Sequence, residues 1–256
     1  MNLHIKKCLS FLICSALLLT CGCSQSSNKP KESSSSAYSE SDKIIRIACV
    51  GDSLTEGIGA KGWQNGDFSG AYPQQLGQIL GNGYDVANFG KGSSYVYYKS
   101  GRDKNLWYPN TAAYHNSNTF DADIIIIMLG TNDARVMTDL ATAHEFKAQF
   151  TELVEHYLDM PSKPTVYIAS GLTMKRYDNK KLQTESNWSE RDPLYINYIF
   201  PMIQDVAREF NCKFLDLYHD LYNEFTQEDT LASDYLHPNS NGYRIIAEYF
   251  AENLDL

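Results

Sequence analysis

Ser53 lies in the run Val50-Gly51-Asp52-Ser53-Leu54-Thr55-Glu56-Gly57. A serine hydroxyl is a weak nucleophile at neutral pH unless a base takes its proton. His237, in Asp234-Tyr235-Leu236-His237-Pro238, offers that base, because imidazole titrates in the required range. The ring then needs a partner on its other nitrogen to fix tautomer and orientation. Asp234 stands three residues earlier, so one turn can present both groups, with Pro238 stiffening the exit. Attack on an acyl carbon creates an alkoxide, which calls for preorganised donors. Two further segments carry amides for that task, Asn88-Phe89-Gly90-Lys91-Gly92 and Gly130-Thr131-Asn132-Asp133. Each segment alone has a plainer explanation, since Gly makes turns, Asn and Asp cap helices, and a lone His packs or sits exposed. Together they describe acyl transfer.

That chemistry works only if the elements bring the segments to one place. Ile44 to Val50 is a short apolar run rich in β-branched residues and predicts a buried strand ending at Gly51. A helix follows over Tyr72 to Leu80, stopped at Gly81-Asn82-Gly83, and a second strand over Tyr84 to Asn88. Asp123 to Leu129 shows no polar alternation and predicts a central strand covered on both faces. Phe146, Phe150, Leu153, Val154 and Tyr157 share one helical face; Thr165 to Ser170 is a fourth strand. Tyr195, Ile199, Met202, Ile203, Val206 and Phe210 mark another helix, Lys213 to Leu217 a fifth strand, and Tyr243, Ile246, Ala247 and Phe250 a last helix. This βαβα rhythm predicts an α/β domain with a parallel sheet between helices. Segments that follow its strands emerge at the carboxyl edge, where such sheets bind ligands.

The four segments, in this order, resemble the SGNH (GDSL-type) hydrolase family of esterases and lipases. The matches run from Gly51 to His237, nearly the whole expected domain. The resemblance implies a three-layer α/β/α sandwich with a flavodoxin-like parallel sheet. It also implies Ser53 as nucleophile and Asp234 and His237 as the rest of a triad. Ser53, Gly90 and Asn132 then form the oxyanion hole. The α/β-hydrolase elbow G-x-S-x-G is missing, because Thr55 stands where its second Gly would be. Gly57-Ile58-Gly59-Ala60-Lys61-Gly62 lacks phosphate-loop spacing, and His115, His144, His156 and His219 form no H-E-x-x-H. No metal or cofactor is expected.

The first 22 residues predict a leader: Lys6 and Lys7, then an apolar stretch over Leu9 to Thr20 that is shorter than the roughly 20 residues a membrane span needs. Leu19-Thr20-Cys21-Gly22-Cys23 resembles the lipobox of bacterial lipoproteins, with Cys23 as the lipidated residue and Thr20 departing from the usual Leu. Export and lipid anchoring at the outer side of the cell membrane are expected, with plain secretion as the alternative. Residues 23–42 form a tether in which nine of the 19 residues from Ser24 to Asp42 are serine. Too polar to offset its ordering entropy, such a coil reaches roughly 25 Å. The hydrolase domain is expected over 43–256. Four of the six cysteines (Cys8, Cys14, Cys21, Cys23) fall in the leader, so no disulfide framework can be read. The formal charge is −9, and −11 once Lys6 and Lys7 are removed, which argues against nucleic acid as a partner.

Two polar insertions, Ser93 to Asn118 and Thr173 to Asp192, are expected to rim the site. Their aromatic rings, including Tyr95, Tyr97, Tyr98, Trp107, Tyr108, Tyr114, Tyr177 and Trp188, could stack on sugars or simply pack the loops down. Tyr95, Trp107 and Tyr108 are the candidate substrate contacts. The insertions hold few of the aliphatic residues that an acyl groove needs, which favours short acyl esters, chiefly acetyl groups on carbohydrate. A lysophospholipase or thioesterase acting on longer chains is the alternative enzyme. A surface-tethered carbohydrate-binding protein without catalysis is the non-enzymatic one. Oligomeric state is not legible.

Overall fold

The computed structural model describes residues 43–175 and 188–256. The leader, Cys23, the tether, Tyr177 and the Trp188 side chain lie outside the described residues. Five strands form one sheet: β1 Ile45–Gly51, β2 Tyr84–Gly90, β3 Ile124–Met128, β4 Thr165–Ala169 and β5 Lys213–Leu215. They are parallel throughout, in the order β2-β1-β3-β4-β5. The chain leaves β1 in one direction for β2 and returns past it to β3. A crevice therefore opens beside the end of β1, at the switch point where flavodoxin-like sheets bind ligands. Gly51 pairs with Gly90 on one side and Met128 on the other, so Ser53, the 91–94 turn and Asn132 all follow strand ends at one level.

Both faces of the sheet are covered. Ala48, Val50, Ile125 and Ile127 pack with Phe146, Phe150, Val154 and Tyr157 of the helix Leu140–Leu158, and with Ile203 and Val206 of Phe200–Glu209. Ile47, Cys49, Ile126 and Met128 face Tyr72 and Leu76 of Tyr72–Leu80 and Tyr243, Ile246 and Phe250 of Ser240–Asn253. The expected α/β/α sandwich is the observed one, and its buried faces are those marked by the apolar periodicity.

Two local differences have clear causes. Lys213–Leu215 is shorter than expected because the Asp216 side chain caps a short helix, Leu217–Asp220, by accepting from His219 N–H. The helix expected around Tyr195 to Phe210 contains a π turn over Tyr195–Ile199, in which Phe200 N–H reaches back to the Tyr195 carbonyl. Pro201 follows at once, with no N–H to continue the usual ladder. The wider turn buries both Tyr195 and Ile199. Ile199 packs against Gly130, whose φ of +117° admits no ordinary side chain and whose added Cβ would lie 2.7 Å from Ile199 Cγ2. This close approach aims Thr131 and Asn132 off the end of β3.

Candidate active site

Ser53 begins a single helical turn, Ser53–Glu56, directly after β1. Asp52 caps that turn by accepting from Leu54 N–H at 3.0 Å. The cap and the Ser53 hydroxyl thus belong to the same Gly-Asp-Ser. The turn is held from behind by Tyr243, whose hydroxyl donates to the Ile58 carbonyl at 2.6 Å.

His237 arrives from the other end of the chain. Asp234 Oδ1 accepts from Leu236 and His237 N–H, each at 3.0 Å, which folds the D-x-x-H segment into one tight turn. Its Oδ2 lies 2.6 Å from His237 Nδ1. A carboxylate can only accept, so Nδ1 carries the proton and Nε2 is left basic. Nε2 lies 2.9 Å from Ser53 Oγ, across 184 residues of sequence. Burial pulls the Asp234 carboxyl upward, but the bonds from His237 outweigh it and hold the group at about 2. Asp234 is therefore ionised at neutral pH.

Asn132 stands on the opposite flank. Its side-chain amide donates to the Ser94 carbonyl at 3.0 Å and approaches Asp52 Oδ2 at 3.4 Å. The second contact is beyond normal hydrogen-bond length, so that hydrogen remains available to a better acceptor. Asp133, the next residue, is fully buried and receives Val96 N–H at 3.1 Å, Tyr97 N–H at 2.8 Å and Arg102 Nη1 at 3.3 Å. The Asn of Gly-Thr-Asn-Asp thus faces the crevice, while its Asp anchors the loop that forms the rim.

Gly90 requires a correction. Its N–H is already taken by Asn88 Oδ1 at 2.9 Å. Gly is needed there for packing, because an added Cβ would lie 2.0 Å from the Glu56 backbone nitrogen. Gly90→Ala should consequently push the Ser53–Glu56 turn off β2. We expect a loss of about 1–3 kcal/mol in denaturant unfolding, as for other overpacked sites, together with a fall in esterase rate. The N–H of Gly92 is likewise engaged, by Glu56 Oε2 at 2.5 Å. Among the described residues, no acceptor lies within reach of Ser93 N–H, and Ser93 lines a cavity together with Asn132. Ser93 adopts φ +62°, a left-handed conformation usually left to glycine, so the sequence pointed to its glycine neighbours instead.

The aromatic candidates also change. Tyr108 is fully buried and its hydroxyl donates to the Phe89 carbonyl at 2.7 Å. Tyr95 is covered as well, with its hydroxyl on the Asp103 carbonyl at 2.6 Å and the Arg102 guanidinium 3.4 Å over its ring. Neither ring offers a face for a sugar to stack on, because both are buried. Trp107 is half-buried, donates its indole N–H to the Val96 carbonyl at 2.9 Å, and packs near Tyr98. These rings pack the rim down.

Asp52 has no escape from burial. Its carboxyl is pushed up to about 7, mainly by desolvation, against the opposing pull of Leu54 N–H and then of the His237 charge. Its folded pKa is thus above the roughly 3.9 of an unfolded aspartate. The stability it contributes is fully present below about pH 4 and is lost as pH rises through about 7. In Asp52→Asn that loss should vanish, so the melting temperature of the variant relative to the parent should climb between pH 4 and pH 8. A constant difference across that range would show that Asp52 does not titrate as described.

Residues 49–245 match the model of the GDSL-like lipase/acylhydrolase family. An acetylxylan esterase of Xylanibacter ruminicola is 28% identical over 218 residues, which is 82% of this chain but 43% of that protein. The chain thus spans under half the length of this relative. Among solved structures, a carbohydrate acetylesterase family member from Sinorhizobium meliloti superposes with a TM-score of 0.57 at 20% identity, covering 82% of this chain and 96% of its own. A family two carbohydrate esterase from Clostridium thermocellum, solved in complex with cellohexaose, gives 0.58 at 17% identity, with 81% and 62% covered. At these identities the structures show a shared fold. The family match spans most of the chain and includes the strand end that carries Ser53 and the turn that carries His237, and on that ground the protein belongs to the GDSL-like lipase/acylhydrolase family.

Proposed function

We propose that the protein is a serine esterase that removes short acyl groups, chiefly acetyl, from carbohydrate. The observation that carries this reading is the unbroken relay from Asp234 through His237 to Ser53, with contacts of 2.6 and 2.9 Å. Ser53 Oγ bonds to the acyl carbon as its proton passes to His237 Nε2, and Asp234 holds the resulting imidazolium. The new oxyanion is met by the N–H groups of Ser53 and Ser93 and by the Asn132 amide. Collapse breaks the ester bond, and the sugar oxygen leaves with the proton from His237. Water then attacks the acyl-enzyme, with His237 again as base, and releases the acid and free Ser53.

The acetyl and carbohydrate parts of the reading are supported by the acetylxylan esterase relative and by the scarcity of aliphatic residues in the rim. Rates across p-nitrophenyl esters of rising chain length, beside acetate release from acetylated glycans, test them. Turnover climbing from acetyl to octanoyl, with no acetate released from glycan, would replace this reading with a lysophospholipase or thioesterase.

We further propose that the protein is exported and anchored through lipid on Cys23, on the strength of the apolar run that ends at Gly22-Cys23. The full chain expressed in bacteria should fractionate with membranes, and Cys23→Ser should release it or stall processing. Stable anchoring takes more than one acyl chain, so mass spectrometry of the N-terminus should find several.

A further inference from the structure

A cavity of about 330 Å³ opens beside Asn132, lined by Ser93, Tyr95, Arg102, Asp103, Arg135 and Val136 among others. Its chemistry departs from the rest of this acidic chain. The Arg102 side chain is only 13% exposed. Its Nη1 is spent on the Tyr97 carbonyl and on Asp133. Among the described residues, its Nε and Nη2 have no acceptor, and neither does the exposed Arg135 guanidinium. Tyr95, against which the Arg102 guanidinium lies at 3.4 Å, fixes the plane of those donors. A third guanidinium, Arg191, lies near enough that burial and then the Arg135 charge lower its pKa. Among the described residues, Asp103 is the one carboxylate lining the cavity, and it already accepts Asn105 N–H at 3.0 Å. A largely buried arginine held flat with unspent parallel donors matches the two oxygens of a carboxylate.

We propose that this cavity receives the carboxylate of an acidic sugar, so that the ester cleaved at Ser53 sits on a uronate-bearing glycan. The proposal rests on the carbohydrate-esterase reading and narrows it. Arg102 supplies the preorganised pair of donors and Arg135 the second charge at the mouth. Because Asn132 lines the same cavity, the acidic sugar lies next to the oxyanion hole, and its charge sets which acetyl group is presented.

The test compares acetylated xylo-oligosaccharides with and without a glucuronic acid substituent, using the full chain. One charge-assisted contact predicts about a tenfold higher kcat/KM for the acidic glycan, carried by KM. Arg135→Gln should bring the ratio of the two KM values towards one, Arg135→Lys should restore part of it, and high salt should shrink it in the parent. Free glucuronate should inhibit acetate release where equimolar glucose and acetate do not. Equal KM values for both glycans, unmoved by Arg135→Gln, would overturn this proposal and leave the carbohydrate reading standing. Inhibition by acetate as strong as by glucuronate would mean that the site reads the product acid, not the sugar. If neither glycan releases acetate while p-nitrophenyl acetate is hydrolysed, the carbohydrate reading falls and this proposal with it.

Discussion

Replacing Ser53 with alanine should lower kcat by about 10⁴-fold or more, and adding His237→Ala to that variant should cost little further. The geometry requires this non-additivity. In the proposed mechanism His237 Nε2 takes the proton of the Ser53 hydroxyl 2.9 Å away, and without that hydroxyl it has nothing to activate. His237→Ala alone should be as damaging, because the unassisted hydroxyl is protonated and weakly nucleophilic. Residual rate in each variant comes from the remaining donors and from substrate positioning, so all three should converge on one floor. Single-turnover kinetics with an activated ester measures this directly. Losses that add in the double variant would show two independent roles, and full activity in Ser53→Ala would place the nucleophile elsewhere.

Asn132→Ala should lower kcat roughly 10²–10³-fold while KM changes little. The amide is tied to Ser94 by one hydrogen and only loosely to Asp52, at 3.4 Å, by the other. The loose hydrogen meets a strong acceptor only when the acyl oxygen takes full charge, so the interaction belongs to the transition state. The effect should appear for any ester, activated or glycan. A large rise in KM at constant kcat would instead make Asn132 a substrate-binding group. Comparison with Arg135→Gln separates the two faces of the cavity, since that change should act on KM and only for acidic glycans.

The rim residues teach a different lesson from the reacting ones. Tyr95, Trp107 and Tyr108 are the residue types that stack on sugars, yet Tyr95 and Tyr108 are buried and Trp107 is tied to the Val96 carbonyl. Composition reports that a loop is aromatic. It does not report which way the rings turn, because that depends on the buried Asp133, whose carboxylate collects two N–H groups and Arg102 from the folded loop. Arg102 and Arg135, two cationic groups that do line the cavity, carry no local pattern at all.

Elements set by short-range pattern were legible in the chain: five parallel strands, the helical faces that cover them, and the Asp234–His237 pair. Apolar period and turn chemistry act over a few residues, and a spacing of three suffices to close a carboxylate on an imidazole. The same spacing occurs at Asp216-Leu217-Tyr218-His219, where His219 Nδ1 lies 2.9 Å from Asp216 Oδ2. Local sequence therefore made two Asp–His pairs. Only the tertiary structure chose between them: His237 faces Ser53, whereas the His219 ring packs edge-on against Phe200 at 5.1 Å. It likewise separated the backbone amides, since Gly90 N–H closes on Asn88 while Ser93, at φ +62°, lines the cavity with its N–H unbonded among the described residues. Which Asp–His pair meets Ser53, and which amide stays unbonded among the described residues, depend on strand order and on contacts between residues far apart in sequence, and no local spacing encodes either.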